Sequence, residues 1–408
     1  MSEPPRAIPP PTVIQIVAGF AIQLAAFGAV YTFGAVLDPV RADLGVSRGA
    51  VALLPAVAAA TLFAVGPFTG RLADRRGTAF VVRLGAGLLG AGLLVTSVAP
   101  TLPLALVGFG IVTGGAVGCL YVPVVASIAG RAGINGPVLT GVVVAGVGIG
   151  TASVAPALSA MADAWGWRWA YRVYGPVAAL VVLVASLAFS AASRSAASGA
   201  RTAGFAASVG TLARRGEFRR LYAALLLVSP SVYIGLVFLA SYARSESITA
   251  SRAAVLLSIF GLASTAGRLA LTALGRRRGA DWVFRQCFVA MAASLVLWAL
   301  LGGSYPLLVL YALVAGLGYG GIIGLGPTVT ALRFGSEGLA TTLGVLYTSL
   351  AVGGLLTGPL AGLAVDAVGY RVTLLALAAL TVVASALLPH PSGRTSQPCR
   401  PGRRAPLR

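Results

Sequence analysis

Twelve long apolar runs divide this chain, and they constrain its fold more than any other feature of the sequence. Each run holds about 20 mostly apolar residues, the length that an α-helix needs to cross roughly 30 Å of hydrocarbon. Only 10% of the residues are charged, against about 25% in soluble domains, so the chain lacks the polar surface of a water-soluble fold. The predicted spans cover residues 13–37, 50–70, 79–98, 103–128, 137–161, 169–192, 219–243, 253–275, 283–303, 305–331, 340–363 and 372–389.

Arginine is unevenly distributed between the segments that join these runs. All 30 basic residues are Arg, and 22 of them lie on the side that carries the N-terminus, seven lie on the opposite side, and Arg268 alone lies within a span. A bias of this size sets the orientation of a membrane protein through the positive-inside rule. We therefore expect a multi-pass protein of the cell (inner) membrane with both termini in the cytoplasm. The net charge of +20 then reports topology, and no nucleic-acid partner is expected.

The longest polar interruption, residues 193–218, separates six spans from six. The predicted domains are a cytoplasmic N-terminal tail (1–12), an N-terminal six-helix bundle (13–192), a cytoplasmic linker (193–218), a C-terminal six-helix bundle (219–389) and a disordered cytoplasmic tail (390–408).

The two bundles are sequence repeats. Gly77 recurs 202 positions later as Gly279, and the pair Ser47-Arg48 recurs 204 positions later as Ser251-Arg252. Because each half has an even number of spans, both halves enter the membrane in the same direction. We therefore predict an all-α membrane protein with twelve transmembrane helices in two parallel six-helix repeats, an arrangement typical of transporters. At an offset of 203, Gly141, Gly150, Pro156, Asp163, Gly166 and Arg168 recur as Gly344, Gly353, Pro359, Asp366, Gly369 and Arg371.

The segment 70–77 follows the second span and reads Gly-Arg-Leu-Ala-Asp-Arg-Arg-Gly. It resembles the signature G-x-L-x-D-R-x-G-R-K of the major facilitator superfamily, although Thr78 and Ala79 replace the final basic pair. The resemblance implies the major facilitator fold and a cytoplasmic gate at this loop. The alternative is that its arginines serve topology alone. The implied gate residues are Gly70, Asp74, Arg75 and Gly77.

Three patches resemble the monocarboxylate and oxalate/formate transporter branch of that superfamily. They are residues 33–48, the glycine run 141–150 in the fifth span, and Arg268 in the eighth. In that branch an arginine at this place binds the substrate carboxylate, which implies a secondary active transporter of a small organic anion with rocker-switch alternating access. The branch's lysine partner has no counterpart because the chain contains no lysine, and Ser264 stands where the branch has an acid.

Arg268 is the one charged residue that the sequence places deep in the membrane. It lies eight residues from Arg276, about 12 Å along a helix. A central arginine costs roughly 3 kcal/mol or more, so it should face protein or a water-filled cavity. It shares one helix face with Ser264 and Thr272, which predicts a polar stripe that lines a cavity. Its planar guanidinium suits a carboxylate; the alternative is an arginine that extends to the membrane surface.

Four tyrosines lie in the first, fourth, seventh and eleventh spans, which line the cavity in the superfamily. For each of them the alternative is packing within the bundle. The predicted substrate-binding residues are therefore Arg268, Tyr31, Tyr121, Tyr233, Tyr347 and Ser264.

Enzyme chemistry and cofactors are not expected. His390 is the only histidine, and the three cysteines are far apart, so metal ligands and catalytic triads are lacking. All ten acidic residues lie at span ends or in loops. An exporter of hydrophobic or cationic compounds is the alternative function, and a membrane enzyme or a non-transporting sensor is a third. The expected partners are a small, anionic substrate, a proton as a candidate coupling ion and the lipid bilayer, with the chain acting as a monomer.

Overall fold

The computed structural model describes residues 11–129, 136–189, 212, 214–301, 303–334 and 339–388. Nearly all of these residues are helical, and no strand occurs among them. The first half contains α1 (Val13–Tyr31), α2 (Phe33–Leu44), α3 (Arg48–Val51), α4 (Leu53–Arg76), α5 (Thr78–Val98), α6 (Leu102–Ala105), a π-helical segment (Leu106–Thr113), α7 (Gly114–Ala129), α8 (Gly136–Trp165) and α9 (Trp167–Ser186). The second half contains α10 (Gly216–Ser245), α11 (Ala250–Arg278), α12 (Ala280–Leu301), α13 (Tyr305–Phe334) and α14 (Leu339–Leu387).

The predicted number of membrane crossings is confirmed. Within the described ranges, eleven continuous helical segments are long and apolar enough to cross a membrane. The last of them, Val345–Leu387, joins two predicted spans because α14 continues through a kink at Gly369, where φ is 79° and ψ is 168°. Residues 339–368 and 370–387 on either side of this kink are the eleventh and twelfth spans.

The sequence repeat has a backbone counterpart. Gly77 and Gly279 end the second and eighth spans with φ of 89° and 93°, and Gly166 and Gly369 follow the fifth and eleventh with φ of 84° and 79°. Glycine adopts these angles without the steric penalty that a Cβ brings. The recurring glycines therefore mark reversals of direction that both halves share.

The first membrane helix extends beyond its predicted end at residue 37. Thr12 begins it with a capping box, in which its hydroxyl accepts from the Gln15 backbone N–H and the Gln15 side chain accepts from the Thr12 N–H. The helix continues through α2 to Leu44 and ends at Gly45, which has a φ of 63°. Asp38 therefore lies inside a helix, a turn and a half before its end.

The helix α10 begins at Gly216, three residues before the predicted C-terminal bundle at 219. Most of the predicted linker, residues 193–211 and 213, lies outside the described residues, as do residues 1–10 of the predicted N-terminal tail and all of the predicted C-terminal tail, 390–408. The domain limits at these places therefore stay predictions.

We call the end of the bundle where α2 ends and α3 begins the far side. Between the halves α8 packs on α11, and Ser258 of α11 donates through its hydroxyl to the Ala152 carbonyl at 2.5 Å. On the opposite flank α4 packs on α14, where a Cβ at Gly358 would lie 2.5 Å from the Ala52 carbonyl oxygen. Glycine thus permits backbone contact between the halves.

Within the second half, α11 and α13 are in close contact along a row of glycines. A Cβ at Gly316 would lie 2.5 Å from the Phe260 carbonyl oxygen, and a Cβ at Gly320 would lie 2.0 Å from that of Ser264. These distances are shorter than van der Waals contact, so only glycine fits. The row fixes the part of α11 that carries Arg268.

Candidate substrate site

Arg268 lies between the two halves, partly buried. Its guanidinium donates from one Nη to the Val144 carbonyl of α8 at 3.3 Å, and its Nε is buried without a hydrogen-bond partner. Among the described acidic side chains, none forms an ion pair with it. The positive charge of the guanidinium is therefore not compensated by a described acidic group. Only one of its N–H groups donates to a described carbonyl, so the remaining N–H groups can bind an anion.

Several tyrosines lie near this guanidinium. Tyr31 and Tyr319 share a hydrogen bond between their hydroxyls at 3.2 Å, which joins the first span to the tenth. The Arg268 Cζ lies 5.9 Å from the centre of the Tyr319 ring, within the range of a cation–π contact. Tyr31, Tyr121 and Tyr347 lie within electrostatic range of Arg268.

The predicted Tyr233 also reaches this cluster. It interacts electrostatically with Tyr319, and its ring lies so close to Gly354 that a Cβ there would be 2.5 Å from two ring atoms. The structure therefore places three of the predicted tyrosines within electrostatic range of Arg268 and the fourth, Tyr233, beside Tyr319. Tyr319 was not among the predicted residues, because an apolar helix pattern does not reveal which side of the tenth span faces Arg268.

The hydroxyls of Ser264 and Thr272 are both buried without a hydrogen-bond partner. Ser264 is 3% exposed, and its hydroxyl is enclosed without a hydrogen-bond partner. A Cβ at Gly324 of α13 would lie 2.7 Å from the Thr272 hydroxyl, so this side chain contacts α13. The predicted stripe thus packs largely against a neighbouring helix, and cavity lining by Ser264 stays a prediction.

The predicted gate segment forms the last turns of α4. Arg75 is exposed, Gly77 ends the helix, and a Cβ at Gly70 would lie 3.8 Å from Val122 of the same half. The Asp74 side chain lies outside what the structure describes. A gate function of this segment therefore stays a prediction.

A different ion pair lies at the corresponding end of the second half. Arg333, at the end of α13, contacts Asp281, at the start of α12, at 2.8 Å, and both side chains are largely buried. In the sequence repeat, Arg276 stands 202 positions after Asp74, in place of the acid of the first-half motif. The sequence analysis did not single out Asp281, which lies five residues later.

An ion pair at Arg48 and a group of polar contacts at Asp38 join the halves at the far side. Arg48 pairs with Asp366 at 3.3 Å. Asp38 accepts from the Ser241 hydroxyl at 2.7 Å, and Arg244 donates to the Ala35 carbonyl beside it. Sequence reasoning left these residues as span ends. The signal available was the repeat, which places Arg48 and Asp366 at duplicated positions.

Comparison with models of protein families assigns the chain to a family. The model of the Major Facilitator Superfamily matches residues 19–280 and, a second time, residues 221–407. The chain belongs to the major facilitator superfamily. It is therefore a multi-pass membrane transporter of small organic molecules and not an enzyme.

Similar proteins agree with this assignment. Monocarboxylate transporter 12 of Rattus norvegicus is 26% identical over 339 residues, which cover 75% of this chain and 70% of that protein. Monocarboxylate transporter 13 of Bos taurus is 24% identical over 384 residues, with 91% and 87% covered. The resemblance to a monocarboxylate branch is thus confirmed.

Solved structures share the fold of this superfamily member. A bacterial homolog of the human lysosomal transporter Spinster, in an inward-facing and unoccupied conformation, superimposes with a TM-score of 0.74 at 18% identity, covering 92% of this chain and 95% of that one. A single-residue mutant of the nucleoside transporter NupG gives a TM-score of 0.74 at 15% identity, covering 91% and 98%.

Proposed function

We propose that the chain is a secondary active transporter that moves a small organic anion, a carboxylate, across the cell membrane by rocker-switch alternating access. The observation that carries the proposal is Arg268, a guanidinium between the two halves with no described acidic partner and one neutral carbonyl contact. A carboxylate would supply the missing charge and accept two parallel hydrogen bonds from the planar fork.

Hydroxyl groups around Arg268 support an anionic rather than a cationic substrate. Each tyrosine hydroxyl can donate to a carboxylate oxygen, whereas a cation would be repelled by the uncompensated guanidinium. Tyr31 and Tyr121 come from the first half, and Tyr319 and Tyr347 come from the second. A substrate at this place would therefore be held by both halves, as alternating access requires.

The direction of opening follows from the contacts between the halves. The far side is held together by Arg48 and Asp366 and by Asp38 and Ser241, and the positive-inside bias makes that side extracellular. We infer a conformation that is closed to the outside, with both termini in the cytoplasm. We propose that the segment 70–77 closes the cytoplasmic side when the transporter turns over.

The experiment that tests the proposal is uptake into proteoliposomes. A panel of monocarboxylates, dicarboxylates and lipophilic cations, each with and without a pH gradient, separates the candidate substrates and tests the proton as coupling ion. We expect uptake of at least one carboxylate. Transport of lipophilic cations alone would support the multidrug-type exporter instead.

Replacing Tyr319 by phenylalanine should reduce carboxylate transport about two- to tenfold, since it removes one neutral hydrogen bond between the halves. The ring that faces Arg268 remains, so the loss should be partial. Initial uptake rates in proteoliposomes measure it. Tyr305→Phe is the matched control, because Tyr305 begins the same helix at the far side and is distant from Arg268; equal losses in the two variants would argue against a central role for Tyr319.

Weakening the Arg48–Asp366 pair should open the far side. Exposed ion pairs contribute up to about 1 kcal/mol, so R48A or D366N should raise the open population by up to about fivefold. Spin labels at Ala164→Cys and Ala367→Cys, two exposed far-side positions in different halves, report the separation by pulsed electron resonance, with Cys399 replaced by serine.

The charge swap R48D/D366R should restore the wild-type distance distribution between these labels. D43N serves as control because Asp43 pairs with Arg168 within the first half, at 2.7 Å. A longer distance in D43N, or no change in R48A, would show that the Arg48–Asp366 pair does not hold the halves together.

A further inference from the structure

A basic pocket lies at the start of the second half, away from Arg268. It has a volume of about 540 Å³ and lies between the first turns of α10 and the end of α14. Its walls combine charged and apolar groups, which is typical of a site at the boundary between headgroups and acyl chains. The lining residues are Gly216, Glu217, Arg219, Arg220, Ala223 and Leu387.

The arginines of this pocket have no partners of their own. Arg219 and Arg220 are exposed, and in the described part of the chain neither guanidinium makes a hydrogen bond or an ion pair. Two further exposed arginines, Arg214 and Arg215, precede them along the chain. Glu217 offsets one positive charge, so the group of four arginines keeps a net charge of +3.

The repeat provides an internal comparison for this place. In the first half, the start of α1 is tied to the end of the sixth span, because the Gln15 side chain donates to the Ala188 carbonyl at 3.0 Å. The first turns of α1 are apolar, with Val13 and Ile14 exposed at 75% and 71%. The duplicated fold therefore forms a helix start here without arginines. The basic pocket is an addition of the second half that packing does not require.

The segments that adjoin the pocket along the chain carry positive charge. The neighbouring residues 190–213 and the C-terminal residues 389–408 contain no Asp or Glu, and both segments carry arginines. An external anion is therefore the complementary occupant. Next to the pocket, Val382 and Val383 on α14 are exposed at 58% and 52%, which offers an apolar surface for an acyl chain.

We propose that this pocket binds the headgroup phosphate of an anionic phospholipid between the seventh and twelfth spans. Arg219 and Arg220 donate to the phosphate oxygens, Leu387 contacts the first methylenes, and the acyl chains follow the outer surface of α14. The site is independent of the substrate site at Arg268.

Native mass spectrometry of the full chain, purified and incubated with equal amounts of phosphatidylglycerol and phosphatidylcholine, tests the proposal. We expect the wild type to retain phosphatidylglycerol about fivefold or more over phosphatidylcholine. R219Q/R220Q should reduce this preference to about equal binding. The matched control is R277Q/R278Q, which removes two exposed arginines at the end of α11 on the same side of the bundle and should keep the preference.

Leu387→Trp fills the pocket without changing its charge, and it should also remove the preference. Excess inorganic phosphate should not displace the bound lipid. Equal losses in the two arginine pairs would overturn the proposal in favour of general attraction to the basic surface. If Leu387→Trp retained the lipid preference, the lipid would not bind in this pocket. If inorganic phosphate displaced the lipid, the pocket would be a site for the free ion, and the lipid proposal would be wrong.

Discussion

Arg268→Ala is expected to reduce carboxylate uptake by about 10²-fold or more, because it removes two charge-assisted hydrogen bonds of about 1.5–3 kcal/mol each. The loss should appear in saturable uptake of the best carboxylate from the proteoliposome panel. The fold should survive, since the Val144 carbonyl is the only hydrogen-bond partner of this guanidinium among the described residues.

Two further variants make this result specific. Arg268→Lys keeps the charge but loses the planar fork, so uptake should fall less than in the alanine variant. Arg276→Ala removes an exposed arginine eight residues later on the same helix and should transport like the wild type. If R268A took up the carboxylate at the wild-type rate, the carboxylate site would be elsewhere; if it moved lipophilic cations better than the wild type, the exporter would become the leading function.

The second large effect is structural. Gly320→Ala places a Cβ 2.0 Å from the Ser264 carbonyl oxygen and 3.0 Å from the Arg268 backbone nitrogen. Neither atom belongs to a flexible side chain, so α11 and α13 must move apart. Overpacking of this kind costs about 1–3 kcal/mol, and the bulkier Gly320→Leu should prevent folding.

Thermal unfolding followed by size-exclusion chromatography measures this loss. Gly87→Ala is the matched control, because Gly87 also lies within a membrane helix and a Cβ there meets no atom within 4 Å. The control should keep or slightly raise the melting temperature, since alanine favours helix by about 1 kcal/mol. A wild-type melting temperature for Gly320→Ala would contradict the close approach of α11 and α13. Because Arg268 follows Ser264 by one turn, folded G320A should also transport more slowly.

Topology was predictable because its signals are local. A run of apolar residues long enough to cross a bilayer can be read without knowing its neighbours. The repeat could be recognised because equivalent residues keep the same spacing in both halves. The structure explains why glycine occurs at both Gly166 and Gly369, since each of these positions has a positive φ. The predicted end of the first span was wrong by seven residues, since Asp38 and Pro39 suggested a loop where the helix continues to Leu44.

Arg268 could be identified as the central residue because a charge within an apolar run needs a protein or water environment. Its tyrosine neighbours were only partly predictable. Tyr31 and Tyr347 followed from their span numbers, whereas Tyr319 depended on how the tenth span is rotated about its axis. That rotation is set by the contact of Gly316 and its neighbouring glycines with α11, which composition does not encode.

The sequence by itself therefore determined the membrane class, the two six-span repeats, the orientation bias and the single arginine deep within a predicted span, because each depends on residues close together in the chain. The tertiary structure alone decided the hydroxyl pair of Tyr31 and Tyr319 and the far-side pair of Arg48 and Asp366, which are separated by 288 and 318 residues. Such contacts arise where two halves pack together, and their geometry depends on helix rotation and interhelical distance. A one-dimensional pattern of apolar and polar residues specifies neither quantity.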